Sequence, residues 1–249
     1  MSEPSSNVSP LFPPTRWTLL QKMREGSEQE SRGALETLCR AYWYPLYAVA
    51  RRKSLNEQDA QDATQGFFLQ LLTRDALQNA DQTRGKLRSL LLGAFDNFII
   101  EQWRSTTRQK RGGGAEHIPW PDLQEAEYRY LQTDHTAVND VETLYNREWA
   151  RSVLERSLQA LRQSQIQQGQ VQRFEVLSLF LTQADPGLDM AAASAALSLS
   201  VEACRMALHR LRQQYRAKIE EELALTLDTN DPAEIRQEMT DLLRAFVSS

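Results

Sequence analysis

Cysteine is almost missing from this 249-residue chain: Cys39 and Cys204 are the only two, and they stand far apart. Neither a disulfide framework nor zinc-ligand spacing can be built from them. Glycine and proline are also sparse, at 10 and 9 residues. That scarcity argues against sandwiches, barrels and Gly-rich nucleotide folds. Histidine is limited to His117, His135 and His209, scattered and with no cysteine beside them to activate. No apolar run approaches the ~18–20 residues needed to span a bilayer, so no membrane insertion is expected. The first segment, Met1–Pro14, is Ser/Pro-rich, reads as disordered, and lacks the basic start and apolar stretch of a signal peptide. These absences leave no catalytic residue, no metal site and no cofactor to nominate, and they point to a cytoplasmic, non-enzymatic protein.

The residues that are present favour helix. Leu, Ala, Gln, Arg and Glu abound, 41% of positions are hydrophobic and 25% are charged, enough for one or two domains with proper cores. Net charge is only −4, but its distribution is uneven. Arg84–Arg111 carries seven Lys/Arg against Asp96 and Glu101; Arg205–Lys218 carries five Lys/Arg and no acid. Ala115–Trp149 and Ile219–Ser249 each carry eight acids against two arginines. Each basic block is thus followed by an acidic one. A solvated face explains any single block; two basic blocks on predicted helices suggest a polyanionic partner.

Apolar spacing predicts helices over Thr15–Glu25, Ser31–Lys53 (with Pro45 kinking or restarting it), a segment opened by the N-cap Asn56 and carrying Ala60 to Leu72, and Lys86–Lys110, stopped at Gly112–Gly114. Periodicity fades from Ala115 to Thr143, which reads as a flexible acidic linker. Helices resume over Arg147–Gln167, Phe174–Leu181, Asp189–Leu197, Val201–Leu225 and from Asp231-Pro232 onward. The last carries Ile235, Met239, Leu242, Leu243 and Phe246, which should pack most simply on the second lobe. The expectation is all-α with two lobes: an extension (1–33), a first bundle (34–114), the linker (115–146), a second lobe (147–220) and an acidic helical tail (221–249).

Within the second lobe, a short helix, the break Ser198-Leu199-Ser200 and a longer basic helix form a helix-turn-helix pattern. Such a second helix enters the DNA major groove, and here it offers Glu202, Arg205, Met206, His209, Arg210, Arg212 and Gln213. In the first lobe, Glu101–Arg111 joins Trp103 to a run of cations, a combination suited to phosphates and unstacked bases. Phe95 and Phe98 read as core; Trp103 is evenly balanced between core and stacking surface.

Several separated stretches then become recognisable. Ala34-Leu35-Glu36-Thr37-Leu38 with Tyr47, followed by Asp59-Ala60-Gln61-Asp62-Ala63-Thr64-Gln65-Gly66-Phe67-Phe68-Leu69, resembles bacterial extracytoplasmic function (ECF) sigma factors. Asp62, Gln65 and Phe68 match the family's polymerase-docking helix, while Gly66 replaces its usual Glu and Ala63 its Leu. Lys86–Leu91 with Phe95-Asp96-Asn97-Phe98 and Glu101–Arg104 resembles the segment that opens and reads the −10 element, with Asn97 matching its characteristic Asn. Val201–Arg212 resembles the −35 reader, although Ala191-Ala192-Ala193-Ser194 departs from the family's pattern and Ser198 stands where a turn Gly is usual. Phe12–Trp17, Tyr42–Tyr47, Thr64–Phe68 and Lys110–Gly114 are similar to a longer ECF-like subgroup.

The resemblance implies core RNA polymerase (its β′ clamp helices and β flap) and promoter DNA as partners, with an anti-sigma factor or other regulator as a further one. It assigns Asp59, Asp62, Gln65 and Phe68 to polymerase. It assigns Arg88, Asn97, Trp103, Arg104, Arg108, Lys110 and Arg111 to the −10 DNA, and Ser200, Glu202, Arg205, His209, Arg210 and Arg212 to the −35 DNA. Two other functions stay open: a helix-turn-helix regulator that does not engage polymerase, and a helical protein-interaction module.

Overall fold

The computed structural model describes residues 16–72, 86–106, 122–133, 140–182, 189–227 and 231–247. Every regular element among them is an α-helix: α1 (Arg16–Glu25), α2 (Glu28–Arg52), α3 (Glu57–Leu71), α4 (Leu87–Thr106), α5 (Leu123–Gln132), α6 (Val141–Gln167), α7 (Val171–Thr182), α8 (Met190–Ala196), α9 (Val201–Leu227) and α10 (Pro232–Val247). No single helix among the described residues is long and apolar enough to cross a membrane. The chain divides into two compact units, Met1–Ala150 with Ala224–Ser249, and Arg151–Leu223. The boundaries fall inside α6 and α9.

Side-chain caps explain where several helices begin. Ser27 and Glu30 form a reciprocal capping box, the Ser27 amide donating to Glu30 at 2.9 Å. It starts α2 three residues ahead of the Ser31 expected from apolar spacing. The helix then continues through Pro45 as one element. Asn56 caps α3 as anticipated, accepting from the Asp59 amide at 2.9 Å. Asp140 accepts from the Thr143 amide at 2.8 Å, and α6 starts well before Arg147. In each case a short polar side chain satisfies amides that have no partner inside the helix.

In the first unit α2 is the central helix. Leu35, Leu38, Tyr42, Trp43, Leu46, Tyr47 and Val49 are almost wholly buried, so apolar residues lie on more than one of its faces. Against it, α3 and α4 meet through aromatic edges: the Phe67 ring lies 5.2 Å from Phe95 and 5.8 Å from Phe98, both tilted. Phe95 is fully buried and Phe98 half-buried, in keeping with the core reading of both.

Two acidic segments expected to be free or to pack elsewhere belong to this unit. The reading of 115–146 as a flexible connector is corrected for its described residues. Asp122 accepts from the amides of Gln124 and Glu125 at 2.9 and 3.2 Å, starting α5 inside it. Glu127 of α5 is buried and accepts from the Tyr47 hydroxyl, and from Arg51 at 2.8 and 3.0 Å. Burial, and then the neighbouring carboxylate, push the Tyr47 hydroxyl far above its usual value. Two residues on, Arg129 lies 3.8 Å from the centre of the Tyr44 ring and 3.5 Å from the fully buried Glu148. The tail helix α10 also joins this unit rather than the second lobe. Glu238, 1% exposed, pairs with Arg88 and with Lys86 at 2.5 Å, and Asp241 pairs with Lys86 at 2.7 Å.

The second unit is built on Leu161, Phe174, Leu177, Ala193, Cys204, Ala207, Leu208 and Leu211. The later part of α6 is bound to α9 by Tyr215 donating to the Leu154 carbonyl at 3.0 Å and by Arg156 with Glu222 at 2.6 Å. Burial pushes the Tyr215 hydroxyl up to about 12. Both cysteines are buried, and burial raises the Cys39 thiol well above its usual value, which makes it unreactive.

The α5 dock yields a measurable expectation. Replacing Glu127 by Ala leaves Arg51 and the Tyr47 hydroxyl partly buried without their acceptor, which costs about 2–4 kcal/mol. The Glu127→Ala variant should therefore unfold at lower denaturant than the wild type, and α5 should become the earliest site of limited proteolysis.

Candidate nucleic-acid interface

In the second unit α8, a tight turn and α9 form the helix-turn-helix. Leu197 ends α8, Ser198 adopts φ 52°, the Ser198 amide donates to Ala195 and the Leu199 amide to Ser194. That bond pair, with a left-handed residue between, is a Schellman stop. Ser200 then caps α9, its hydroxyl accepting from the Ala203 amide at 3.1 Å. Stop and restart fall within three residues, and the two helices meet at 95°, close to the usual crossing in such motifs. Serine at Ser198 is where this chain departs from the glycine usual in the resembling family, and its positive φ gives the reason glycine suits that place: a Cβ there is strained.

Burial on α9 separates two faces. Cys204, Ala207, Leu208 and Leu211 point into the core, whereas Glu202, Arg205, Met206, His209, Arg210, Arg212 and Gln213 are exposed. Met206 is 61% exposed, a large apolar side chain amid the cations. Among the described residues, Arg205, Arg210 and Arg212 have no acid within ion-pair distance. Arg216 and Lys218, later in the same helix, are already paired with Glu220 at 2.9 Å and Glu221 at 2.7 Å. The basic block therefore resolves into three available arginines with His209 and two neutralised cations. Ser200 belongs here as a cap on exposed backbone.

The first unit distributes its candidates differently. On α3, Asp59 and Asp62 are exposed and Gln65 is half-buried. Asp62 accepts from Gln58 at 3.0 Å and Asp59 from Asn56 at 2.7 Å. Phe68 does not share their outward face: it is fully buried, because at i+6 from Asp62 the helix has turned far enough to bring the ring into the core. Gly66 is a departure noted in the sequence. A Cβ there would come 3.2 Å from the Phe98 ring and 3.3 Å from the Gln102 amide, so a larger residue at this place requires one of those two side chains on α4 to give by a few tenths of an ångström.

On α4, Asn97 is exposed beside Ile100 and Glu101. Trp103 and Arg104 continue the same helix as backbone; their side chains, and all of Arg108, Lys110 and Arg111, lie outside the described residues. Arg88 is a correction. It is 7% exposed, donates to Asn146 at 3.2 Å, lies 4.2 Å from the centre of the Trp149 ring and pairs with Glu238. Burial lowers its pKa. A guanidinium so enclosed is not presented to a nucleic acid. Sequence reading missed this cluster because α6 and α10 supply its other members. A signal was present all the same: Glu238 and Asp241 stand at i, i+3 on one face of an amphipathic helix.

No group of three or more His, Cys, Asp or Glu among the described residues could hold a metal ion. No family model, curated protein or solved structure matches this chain.

Two substitutions test the local geometry. Ser198→Gly should raise the stability of the second unit by about 1 kcal/mol, since relief of the left-handed strain outweighs the added freedom of the unfolded chain. Its thermal midpoint should rise by a few degrees. Gly66→Glu should shift Phe98 or Gln102 by a few tenths of an ångström, read as a perturbed NMR signal of one of those two side chains.

Proposed function

We propose that this chain is an RNA polymerase sigma factor: it binds core polymerase, brings it to a promoter and helps open the −10 region, leaving the covalent chemistry to the polymerase. The observation that carries the reading is the helix-turn-helix, in which a helix restarting at 95° presents Arg205, His209, Arg210 and Arg212 to solvent while its opposite face forms the core. A helix of this kind suits the major groove, where arginines bind phosphates and guanine edges. The resemblance of Ala34–Leu69, Lys86–Arg104 and Val201–Arg212 to ECF sigma factors supplies the rest.

In this reading the second unit meets the −35 duplex. The outward face of α3, with Asp59, Asp62 and Gln65, meets the β′ clamp helices, and Phe68 supports that face from behind. The outward face of α4 at Asn97 meets the −10 strand, and the resemblance assigns Trp103, Arg104, Arg108, Lys110 and Arg111, which follow in sequence, to the same DNA. The buried Arg88 takes no part while α10 remains in place.

A specific observation favours a second reading, a DNA-binding regulator that does not engage polymerase. With Phe68 in the core and Gly66 against α4, the polymerase contact is reduced to two carboxylates and an amide. The two readings differ in two assays. A sigma factor co-purifies with core polymerase and gives start-site-specific transcripts from a genomic library, and Asp62→Ala/Gln65→Ala weakens the co-purification. A regulator does neither, yet still binds duplex DNA.

For α9 the expected result is common to both readings. Removing an arginine that reads a base should cost about 1–3 kcal/mol and relax specificity at one position, whereas removing a phosphate contact should weaken binding evenly and flatten the salt dependence. Arg205→Ala and Arg212→Ala, measured singly by fluorescence anisotropy against matched and scrambled duplexes, assign each arginine to one role. If neither variant changes affinity or selectivity, α9 is not a reading helix.

A further inference from the structure

We propose that the start of α4 is a polyanion-binding surface held closed by the chain's own C-terminal helix, with Glu238 and Asp241 standing where phosphates would bind. The proposal rests on the nucleic-acid-binding function inferred above and adds to it a second cationic surface and the device that covers it.

Charge and burial in the first unit carry the argument. Among the described side chains of the basic block Arg84–Arg111 the cations are Lys86 and Arg88, and both are committed to α10. Glu238 reaches both, and Asp241, one turn later, takes a second bond from Lys86. Two carboxylates at i, i+3 set against two cations at i, i+2 form a small acidic ladder on a basic edge. Burial raises the Asp241 carboxyl, but the bonds from Lys86 and Gln237 outweigh it and leave the group below its usual value.

The attachment is the kind that can be exchanged. Among the described side chains of α10, Leu242 is the one fully buried apolar group and Ile235 and Met239 are half-buried, while Leu243 is 58% and Phe246 36% exposed. Ion pairs therefore share the attachment of this helix with a short apolar contact. The attraction within those pairs is offset by the cost of removing the charges from water, so an anion offering the same charge can compete. A 16-residue helix is also marginal by itself in water. Under the cover, Arg88 is already aligned: Trp149 stacks on the guanidinium and Asn146 accepts from Nε. The site is therefore built in advance and needs only α10 to leave.

The test uses the full chain. Glu238→Gln/Asp241→Asn removes both negative charges with nearly unchanged shape. Hydrogen exchange of residues 232–247 reports whether α10 leaves, and anisotropy of a labelled random-sequence 30-base-pair duplex reports binding at two salt concentrations. The expected result is faster exchange in α10 and a salt slope steeper by about 1.8, two phosphate contacts at roughly 0.9 each. The affinity gain over wild type should then grow about tenfold as salt falls fourfold. Adding Lys86→Ala to the double variant should remove about half of the extra slope. If the double variant fails to fold, Asp241→Asn alone, at a partly exposed position, should show a smaller change of the same sign.

Release of α10 with unchanged duplex affinity and slope overturns the proposal. So does a gain that survives Lys86→Ala undiminished, because it would then report net charge rather than this surface. Protection of α10 equal to wild type in both the single and double variants overturns it as well. Failure of the sigma-factor reading is seen separately, as loss of co-purification of the wild-type chain with core polymerase.

Discussion

A single carboxylate, Glu238, ties the end of the chain to its first helical unit. It lies almost without solvent against Arg88 and Lys86, and Arg88 in turn stacks on Trp149 and bonds Asn146. A charge so enclosed is tolerable only when fully partnered, and removing one member strands the others. The constraint therefore acts on several elements at once: α10 must lie along the start of α4, and α6 must bring Trp149 beneath it. Distant segments of sequence become one layer because one buried charge requires them.

The same principle recurs at α5. Glu127 is paired with Arg51 and accepts from Tyr47, while Arg129 lies between Tyr44 and Glu148. The acidic stretches of this chain are thus internal partners for its arginines as well as solvated surface. This alters the meaning of its charge blocks. In the first unit the described cations of the basic block are spent on intramolecular pairs, whereas in the second unit Arg205, Arg210 and Arg212 remain exposed. A protein with net charge −4 can present a local cationic surface because its acids are placed elsewhere.

The helix-turn-helix shows how small backbone choices set that surface. The Schellman stop at Ser198 and the cap at Ser200 leave no room for a longer connection. α9 must depart at a steep angle, with Cys204, Ala207, Leu208 and Leu211 inward. Once those four are buried, the 3.6-residue repeat carries Arg205, His209 and Arg212 to the opposite side. The outward face is a consequence of the inward one.

That dependence also divides what could be read in advance from what could not. Helical class, most helix positions, the caps at Asn56 and Ser200, the break at Ser198 and the exposed set on α9 were legible, because each follows from periodicity or from bonds within a few residues. The early starts of α2 and α6 were legible too, in Ser27 with Glu30 and in Asp140 with Thr143, but apolar spacing alone passed over them. α5 escaped notice because it is short and held by polar pairs rather than by an apolar stripe. Burial of Arg88, the close approach at Gly66 and the docking of α10 on the first unit were decided only by tertiary structure. Each depends on which distant side chain arrives opposite: Phe98 and Gln102 beside Gly66, Glu238 beside Arg88. The sequence by itself determined the helices and which faces of them are apolar or charged. Which charged face met water and which met another charge was settled by packing, since the cost of burying an ion depends on the partner that long-range folding delivers.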